Sequence, residues 1–166
     1  MPTDPSTRYG GYTFDELAPA FMQVESSGGT NVTPRYEPKF EAKYGRKWVT
    51  DDPQFRATVL KRLGNTKTFS SYGPFQVMYP VAVELGFRGT PEELAEPTTN
   101  RQYFEKKFLR DWRGTKGNFD ATISRYNGRN NPEYVAKVRH YLPQLKDTMD
   151  RQALADGLTQ TRSSKR

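Results

Sequence analysis

A glutamate lies at the end of an apolar stripe in the stretch FMQVESSGG, residues 21–29. Counting back from Glu25, apolar residues recur at the three- and four-residue spacing of a core-facing helix surface. Burial of a carboxyl group on such a face disfavours its charged form and raises its pKa. A protonated carboxyl at the edge of a cleft can act as a general acid on a glycosidic oxygen. The alternative is a glutamate that bends into solvent or caps the amides of the following loop.

Two further segments combine polar side chains with a backbone turn. In SSYGPFQVM, Gly73 allows close backbone approach, and Gln76 places an amide donor and acceptor within apolar sequence. In RYNG, a helix with an inward apolar stripe ends in Tyr126 and Asn127 before a glycine. Each segment alone is also compatible with a structural role, as a tight turn with a core glutamine or as a helix stop with a core tyrosine.

Capping residues and apolar periodicity predict that short helices position these segments. Thr13 is an N-cap with Glu16 at the capping-box position, and Asp52 precedes a proline at the first helical position. Gly64 is expected to end the helix that follows Asp52. Helices are predicted over residues 13–26, 35–44, 53–63, 80–85, 98–112, 118–126 and 131–142, with another capped start at 90–93 and a last helix after Pro143.

Strand signals are weak throughout, so the sequence predicts an all-α globular domain. The stretch SSYGPFQVM is expected to form a turn and one helical turn, and a small β-hairpin has room between residues 27 and 50. With 166 residues the chain is expected to form one domain over residues 13–156. Residues 1–12 are expected to form an irregular arm and residues 157–166 a flexible basic tail. Because 13% of the residues are aromatic, the core should be rich in aromatic rings.

Composition excludes several kinds of chemistry. The chain has no cysteine, which removes disulfides and thiol catalysis, and its single histidine, His140, argues against a histidine metal site or triad. We therefore expect no metal and no cofactor. No apolar run is long enough for stable membrane insertion, and the first residues lack the features of a signal peptide.

The formal net charge of +7 raises the affinity of the chain for polyanions such as nucleic acid, anionic wall polymers or membrane surfaces. The basic residues are scattered along the sequence, apart from the terminal RSSKR. No nucleic-acid-binding motif or concentrated basic stripe is present, so nucleic acid is not expected as a partner.

Taken in order, Glu25-Ser26, the pattern Gly-x-x-Gln-x-Met-x-Pro and Tyr-Asn-Gly resemble the signature of the lytic transglycosylases with the goose-type lysozyme-like fold. That family has Glu-Ser, then Gly-Leu-Met-Gln-(Ile/Val)-x-Pro, then Ala-Tyr-Asn-Ala-Gly. The stretch ELG at residues 84–86 and EPTTN at residues 96–100 are similar to supporting pieces of the family pattern. The resemblance covers roughly Phe14 to Leu142 and implies a lysozyme-like helical fold.

Carried over by position, the resemblance implies that Glu25 is the catalytic acid/base and that the partner is the glycan strand of peptidoglycan. The Tyr126 hydroxyl would position Glu25 or the substrate and face the cleft, and Ser26 would orient the loop behind Glu25. Gly73 would line the cleft. The implied substrate-binding residues are Ser71, Gln76, Met78, Tyr126 and Asn127.

The sequence departs from the family pattern at several places. Fifty residues separate Glu25 from Gln76, more than in compact members, and the extra length lies mainly in residues 30–69. Pro74-Phe75 stands where Leu-Met is usual, and the third motif lacks the alanine before its glycine. Phe104 occupies a position where a small glycine is typical, which implies altered helix packing.

The implied reaction needs one carboxyl group and yields a 1,6-anhydromuramic product. A hydrolytic muramidase, the lysozyme-type alternative, would need a second acid; the long segment offers Glu37, Glu41, Asp51 and Asp52, of which Glu37 is the first choice. A catalytically silent glycan-binding module is a further alternative. We expect a monomer that acts on the bacterial cell wall. Since no export signal is seen, we expect a phage-encoded lysis or virion-associated enzyme, a fragment of a larger exported protein, or delivery by a partner.

Overall fold

Eight helices and three short strands make up residues 4–45, 52–128 and 130–144, the part of the chain that the computed structural model describes. This part is mostly helical, which confirms the predicted fold class at that level. In chain order the elements are α1 (Phe14–Ser26), β1 (Arg35–Tyr36), α2 (Pro38–Tyr44), α3 (Pro53–Thr68), β2 (Ser70–Tyr72), β3 (Val77–Met78), α4 (Tyr79–Glu84), α5 (Pro91–Ala95), α6 (Pro97–Gly114), α7 (Phe119–Tyr126) and α8 (Pro132–Tyr141).

Side-chain caps mark the beginnings of five helices, including the predicted caps Thr13 and Asp52. The Thr13 hydroxyl accepts from the Glu16 amide, and the Glu16 carboxylate accepts from the Thr13 amide, which completes a capping box. These bonds satisfy amides that the first turn of a helix leaves without partners. The same role falls to Asp52 before α3, Thr90 before α5, Asn118 before α7 and Asn131 before α8.

A small antiparallel sheet lies where helix was predicted. Arg35 and Tyr36 form β1 rather than the start of a helix, and they pair with Ser71 and Ser70 of β2. The stretch predicted as a turn and one helical turn is a hairpin of β2 and β3 with a four-residue turn, so the hairpin does not lie between residues 27 and 50. Pairing with distant parts of the chain decides that these segments form strands. Their sequences do not show it, because strands of two or three residues carry almost no periodic signal.

Gly64 breaks the helical geometry of α3 at the position where a helix end was predicted. Its backbone has φ 75° and ψ 172°, a conformation that glycine adopts readily, as expected at a helix stop. The chain then resumes helical geometry as far as Thr68, and the Thr68 hydroxyl donates to the Gly64 carbonyl at 2.7 Å. The extra turn leads directly into β2.

Aromatic rings fill the core, as the composition predicted. Phe104 and Phe108 of α6 are completely buried and pack against Phe14 and Phe21 of α1. Such ring pairs add to the stability that burial of their area provides. The N-terminal arm joins this core, because the buried Tyr9 contacts the rings of Phe14, Phe108 and Trp112.

Two predicted features lie outside the described residues: the last helix after Pro143 and the basic tail over residues 157–166. Within the described ranges, no helix has both the length and the apolar character needed to cross a membrane.

Candidate active site

Glu25 occupies the last turn of α1, and its side chain is only 7% exposed. The helix ends at Ser27, which has a left-handed backbone, and Gly28 and Gly29 continue with positive φ. The Ser26 hydroxyl donates to the Pro74 carbonyl at 2.6 Å and accepts from the Gly29 amide at 3.0 Å. The end of α1 is therefore fixed to the hairpin turn, which confirms the predicted structural role of Ser26.

Both carboxylate oxygens of Glu25 have hydrogen-bond partners from distant parts of the chain. The Tyr134 hydroxyl of α8 donates to Oε1 at 2.8 Å. Nη2 of Arg35, on β1, donates to Oε2 and to the Glu25 carbonyl, each at 3.0 Å. The carboxyl group is thus held between a neutral hydroxyl and a guanidinium cation.

The surroundings of Glu25 act on its pKa in opposite directions. Burial raises the pKa and is the largest effect, while the Tyr134 hydrogen bond and the charges of Arg35 and Lys107 lower it in part. The net direction is upward, so this carboxyl holds its proton more tightly than an exposed glutamate does. Burial also raises the pKa of Tyr134 well above its usual range, which keeps that hydroxyl neutral and able to donate.

Gln76 holds Arg35 in place. Its Oε1 accepts from Nε of Arg35 and from the Ser71 hydroxyl, both at 2.8 Å, and its Nε2 donates to the Gly73 carbonyl at 2.9 Å. Gln76 also has a φ of 47°, an uncommon left-handed conformation for a buried residue other than glycine. Ser71 and Gln76, predicted to bind substrate, are thus connected to Glu25 through Arg35.

The hairpin turn is held against α6 by Asn100. The Asn100 amide donates to the Tyr72 carbonyl at 2.8 Å, and its Oδ1 accepts from the Phe75 amide at 2.7 Å. Gly73 has a φ of 79°, and a Cβ there would lie 2.5 Å from the Asn100 side chain. Only glycine fits this position, because both the backbone conformation and the space exclude a side chain.

Two departures from the family pattern pack against each other. The rings of Phe75 and Phe104 are stacked with centroids 4.5 Å apart and planes inclined by 15°. Both side chains are buried, Phe104 completely. Phe75 and Phe104, two residues at which the sequence differs from the signature it resembles, therefore fill adjoining space in the core.

The structure corrects the expectation for Tyr126. Its ring is buried against Phe21 with centroids 5.0 Å apart, but its hydroxyl donates to the Phe75 carbonyl at 2.6 Å instead of facing the cleft or Glu25. Tyr134, from the next helix, supplies the hydroxyl that contacts Glu25. Tyr126 therefore fixes the hairpin turn that carries Gln76.

The remaining predicted residues are less closely tied to Glu25. Met78 is half-buried on β3. Asn127 is exposed, and its Oδ1 accepts from the Asn131 amide group at 2.8 Å, across the turn into α8. Glu37 is exposed at the start of α2, and its amide donates to the Phe69 carbonyl at 3.0 Å. Of the other candidate second acids, Glu41 accepts a hydrogen bond from the Tyr36 hydroxyl, Asp52 caps α3, and Asp51 lies outside the described residues.

Sequence reasoning missed Arg35 and the role of Tyr134. Tyr134 lies in the helix predicted over residues 131–142, but its partner Glu25 is 109 positions away, and no local pattern connects them. Arg35 was assigned to a helix, whereas its position in β1 directs its side chain to Glu25 and Gln76. The only sequence signal that bears on Arg35 is the net positive charge of the whole chain.

A groove of about 910 Å³ lies between α1, the hairpin turn and α6. Its lining includes Met22, Phe75 and Arg101 but not Glu25. For the residues described, no group of three or more acidic, histidine or cysteine side chains is placed to bind a metal ion. Of these features, Glu25 and its partners form the arrangement best suited to chemistry.

Comparisons of the chain with family models, with curated proteins and with solved structures gave no significant match. The chemistry of the site therefore has to follow from its own residues. Those residues are a buried carboxyl with a raised pKa, a neutral hydroxyl on one oxygen and a half-exposed guanidinium on the other.

Proposed function

We propose that this protein degrades peptidoglycan by cleaving the β-1,4 bond between N-acetylmuramic acid and N-acetylglucosamine. The observation that carries the proposal is Glu25, a buried carboxyl whose pKa is raised and whose two oxygens have different partners. A raised pKa is what a general acid needs in order to be protonated near neutral pH. The ordered motifs of the lytic transglycosylase signature support the choice of substrate and reaction.

Access to Glu25 requires Arg35 to move. The Arg35 side chain is 52% exposed, whereas that of Glu25 is 7% exposed, so the guanidinium lies between the carboxyl group and solvent. A half-exposed ion pair is worth little net free energy, and a bound sugar can displace it. Tyr134 is buried and keeps Oε1 oriented while the glycosidic oxygen takes the place of Arg35 at Oε2.

In the first step Glu25 donates its proton to the glycosidic oxygen, and the bond from that oxygen to C1 of the muramic residue breaks. The acetamido oxygen at C2 forms a bond to C1 and stabilises the positive charge that develops there. N-acetylglucosamine leaves with a new hydroxyl group. Glu25 is now a carboxylate, which the Tyr134 hydroxyl and the returning Arg35 cation stabilise.

In the second step the Glu25 carboxylate removes the proton from the C6 hydroxyl of the same muramic residue. O6 attacks C1, the acetamido oxygen leaves C1, and a 1,6-anhydro ring closes. Glu25 recovers its proton, so one carboxyl group serves both steps and no water is consumed. The described partners of Glu25, Arg35 and Gln76 include no second carboxylate, which favours this route over hydrolysis.

A hydrolytic muramidase is the second candidate, and the position of Glu37 favours it. Glu37 follows Arg35 by two residues, and alternate residues of an extended segment lie on the same face. Its carboxylate is exposed and free of a structural role in the hydrogen bonds described. If it directs a water to C1, the Glu37→Gln variant will lose activity, whereas the single-acid route predicts that this variant remains active.

For the setting of the reaction we propose the bacterial cell wall, reached by a phage-encoded lysis or virion-associated enzyme or by delivery through a partner. The net charge of +7 favours contact with an anionic wall. We propose action as a monomer and without a cofactor, because one carboxyl group and its neutral and cationic partners supply all the steps above.

Purified peptidoglycan provides the test. Incubation with the protein should release soluble muropeptides over time, measured by chromatography of the supernatant. A protein that sediments with the insoluble wall but releases no muropeptides would be a silent glycan-binding module, and the proposed activity would be wrong. Nucleic acid should not be cleaved. Any inhibition of muropeptide release by added nucleic acid should be electrostatic and should disappear at high salt.

A further inference from the structure

A buried lysine lies behind the candidate site and takes no part in the steps above. The side chain of Lys107 on α6 is 9% exposed, and its ammonium group donates to Oδ2 of Asp111 at 3.3 Å. The same group donates to the Arg125 carbonyl at 3.3 Å and to the Tyr126 carbonyl at 3.0 Å, at the end of α7. Burial of an ammonium group is costly even when it is paired, so its presence here calls for a physical role.

Two chains of contacts connect Lys107 to the site. Its Nζ lies 4.1 Å from the centroid of the Tyr126 ring, and that ring packs on Phe21, one helical turn before Glu25. The Tyr126 hydroxyl donates to the Phe75 carbonyl, next to Gln76 in the hairpin turn. The cation thus lies directly behind the layer of side chains that holds both Glu25 and the turn.

We propose that Lys107 is a positioning residue whose buried charge, held behind the Tyr126 ring, stabilises the Glu25 carboxylate from the buried side of the site, as Arg35 does from the solvent side. Its catalytic consequence rests on the proposed function, whereas its electrostatic effect on Glu25 does not. Arg35 must leave Oε2 when a sugar binds, so its charge is then further from the carboxyl group. Lys107 is buried and donates to Asp111 and to two carbonyls of α7, so we expect its charge to stay in place when a sugar binds.

The charges are coupled in both directions. The positive charge of Lys107 lowers the pKa of Glu25 and so opposes the effect of burial. Burial lowers the pKa of Lys107 to about 8, while Asp111 and Glu25 raise it and Arg110 lowers it. At neutral pH the lysine is therefore mostly charged. Lys107 and Glu25 face the following charged or titratable groups on the packed elements: Arg35 (β1), Arg110 and Asp111 (α6), Tyr126 (α7) and Tyr134 (α8).

The test is a carbon-13 NMR titration of the Glu25 side-chain carboxyl, assigned by its disappearance in Glu25→Gln. Lys107→Met removes the charge and leaves an unbranched side chain that is one atom shorter. Because a nearby cation favours the carboxylate, its loss should shift the titration midpoint of Glu25 to higher pH. Phe108→Leu is the matched control, since it disturbs the same helix and the Phe21 contact without changing charge, and it should leave the midpoint unchanged.

An unchanged midpoint in folded Lys107→Met, or an equal shift in Phe108→Leu, would overturn the proposal. If Lys107→Met does not fold, Lys107→Gln retains amide donors for the α7 carbonyls and should shift the midpoint in the same direction. The NMR measurement needs no substrate, so it can succeed even if peptidoglycan is not degraded. If peptidoglycan is degraded, the alkaline limb of the pH–rate profile should move upward in Lys107→Met together with the midpoint, because the acid form of Glu25 then persists to higher pH.

Discussion

Two ion pairs on opposite sides of the Glu25 region differ in their access to water. In the pair of Glu25 and Arg35, the arginine side chain is 52% exposed and the glutamate is 7% exposed. In the pair of Lys107 and Asp111, both side chains are 9% exposed. The first pair has a half-exposed partner on a two-residue strand, whereas both members of the second lie on one helix in the core.

This difference explains how a buried carboxyl can be both protected and reachable. An arginine that water already solvates can leave its partner at little cost in free energy. Removing one member of a fully buried pair leaves an uncompensated charge in the core and is expected to cost about 3–5 kcal/mol. We therefore expect the Arg35 contact to open during turnover and the Lys107 contact to persist.

The largest expected effect is the loss of activity in Glu25→Gln. Removing a general acid typically lowers the rate by about 10²–10⁴-fold, and the amide keeps the size of the side chain. Release of muropeptides should fall by that factor while circular dichroism shows the native helix content. Glu37→Gln is the matched control and should retain activity. A folded Glu25→Gln protein with wild-type release would remove Glu25 from the mechanism.

The comparison of the two pairs predicts unequal losses of stability. Lys107→Met should lower the free energy of unfolding by up to about 3–5 kcal/mol, because the buried Asp111 loses Lys107 and keeps only its 3.5 Å contact with the half-exposed Arg110. Arg35→Met should lower it by at most about 1 kcal/mol, as expected for a half-exposed pair. Urea denaturation at neutral pH measures both. Equal losses in the two variants would show that the pairs do not differ as their exposures suggest.

Two tyrosine variants separate a role in the site from a role in packing. Tyr134→Phe removes the hydroxyl on Glu25 and should lower the rate by about tenfold with a modest loss of stability, since one hydrogen bond is worth about 0.5–1.5 kcal/mol. Tyr126→Phe leaves the Phe75 carbonyl without its donor and should cost about 1–3 kcal/mol, with a smaller effect on rate. The reverse order of the two rates would restore the family assignment of Tyr126.

The smallest expected effect is on the pH dependence of stability. The pKa of Glu25 is raised above its ordinary value of 4.5, so the folded protein binds this proton more tightly than the unfolded chain does. The contribution of Glu25 to stability is therefore fully present below that ordinary value and is lost as the pH rises through the raised pKa. The free energy of unfolding of the wild type minus that of Glu25→Gln should decrease over this range. A difference that increases instead would mean that the folded pKa is lowered.

The helices and the position of Glu25 could be predicted because their causes are local. Thr13 and Glu16 cap α1 within a few residues, and the apolar spacing places Glu25 on the inward face. Altered packing at Phe104 was predicted only from the resemblance, in which a small glycine is typical at that position. Its partner Phe75, however, emerged only from the stacking of the two rings.

The groups that act on Glu25 could not be predicted, because long-range packing brings them together. Arg35 reaches Glu25 only because β1 pairs with β2, and a two-residue strand has no recognisable periodicity. Tyr126 and Tyr134 have similar positions on the inward faces of successive helices. Only the arrangement of α7 and α8 around α1 decides which hydroxyl reaches Glu25 and which reaches Phe75.

The most direct test of the single-carboxyl reaction is mass spectrometry of the products formed from purified peptidoglycan in water enriched in oxygen-18. Closure of the ring by O6 consumes no water, so the account predicts 1,6-anhydromuropeptides that carry no label at C1. Products with a reducing muramic end and one labelled oxygen would contradict it and show that water, rather than O6, attacks C1.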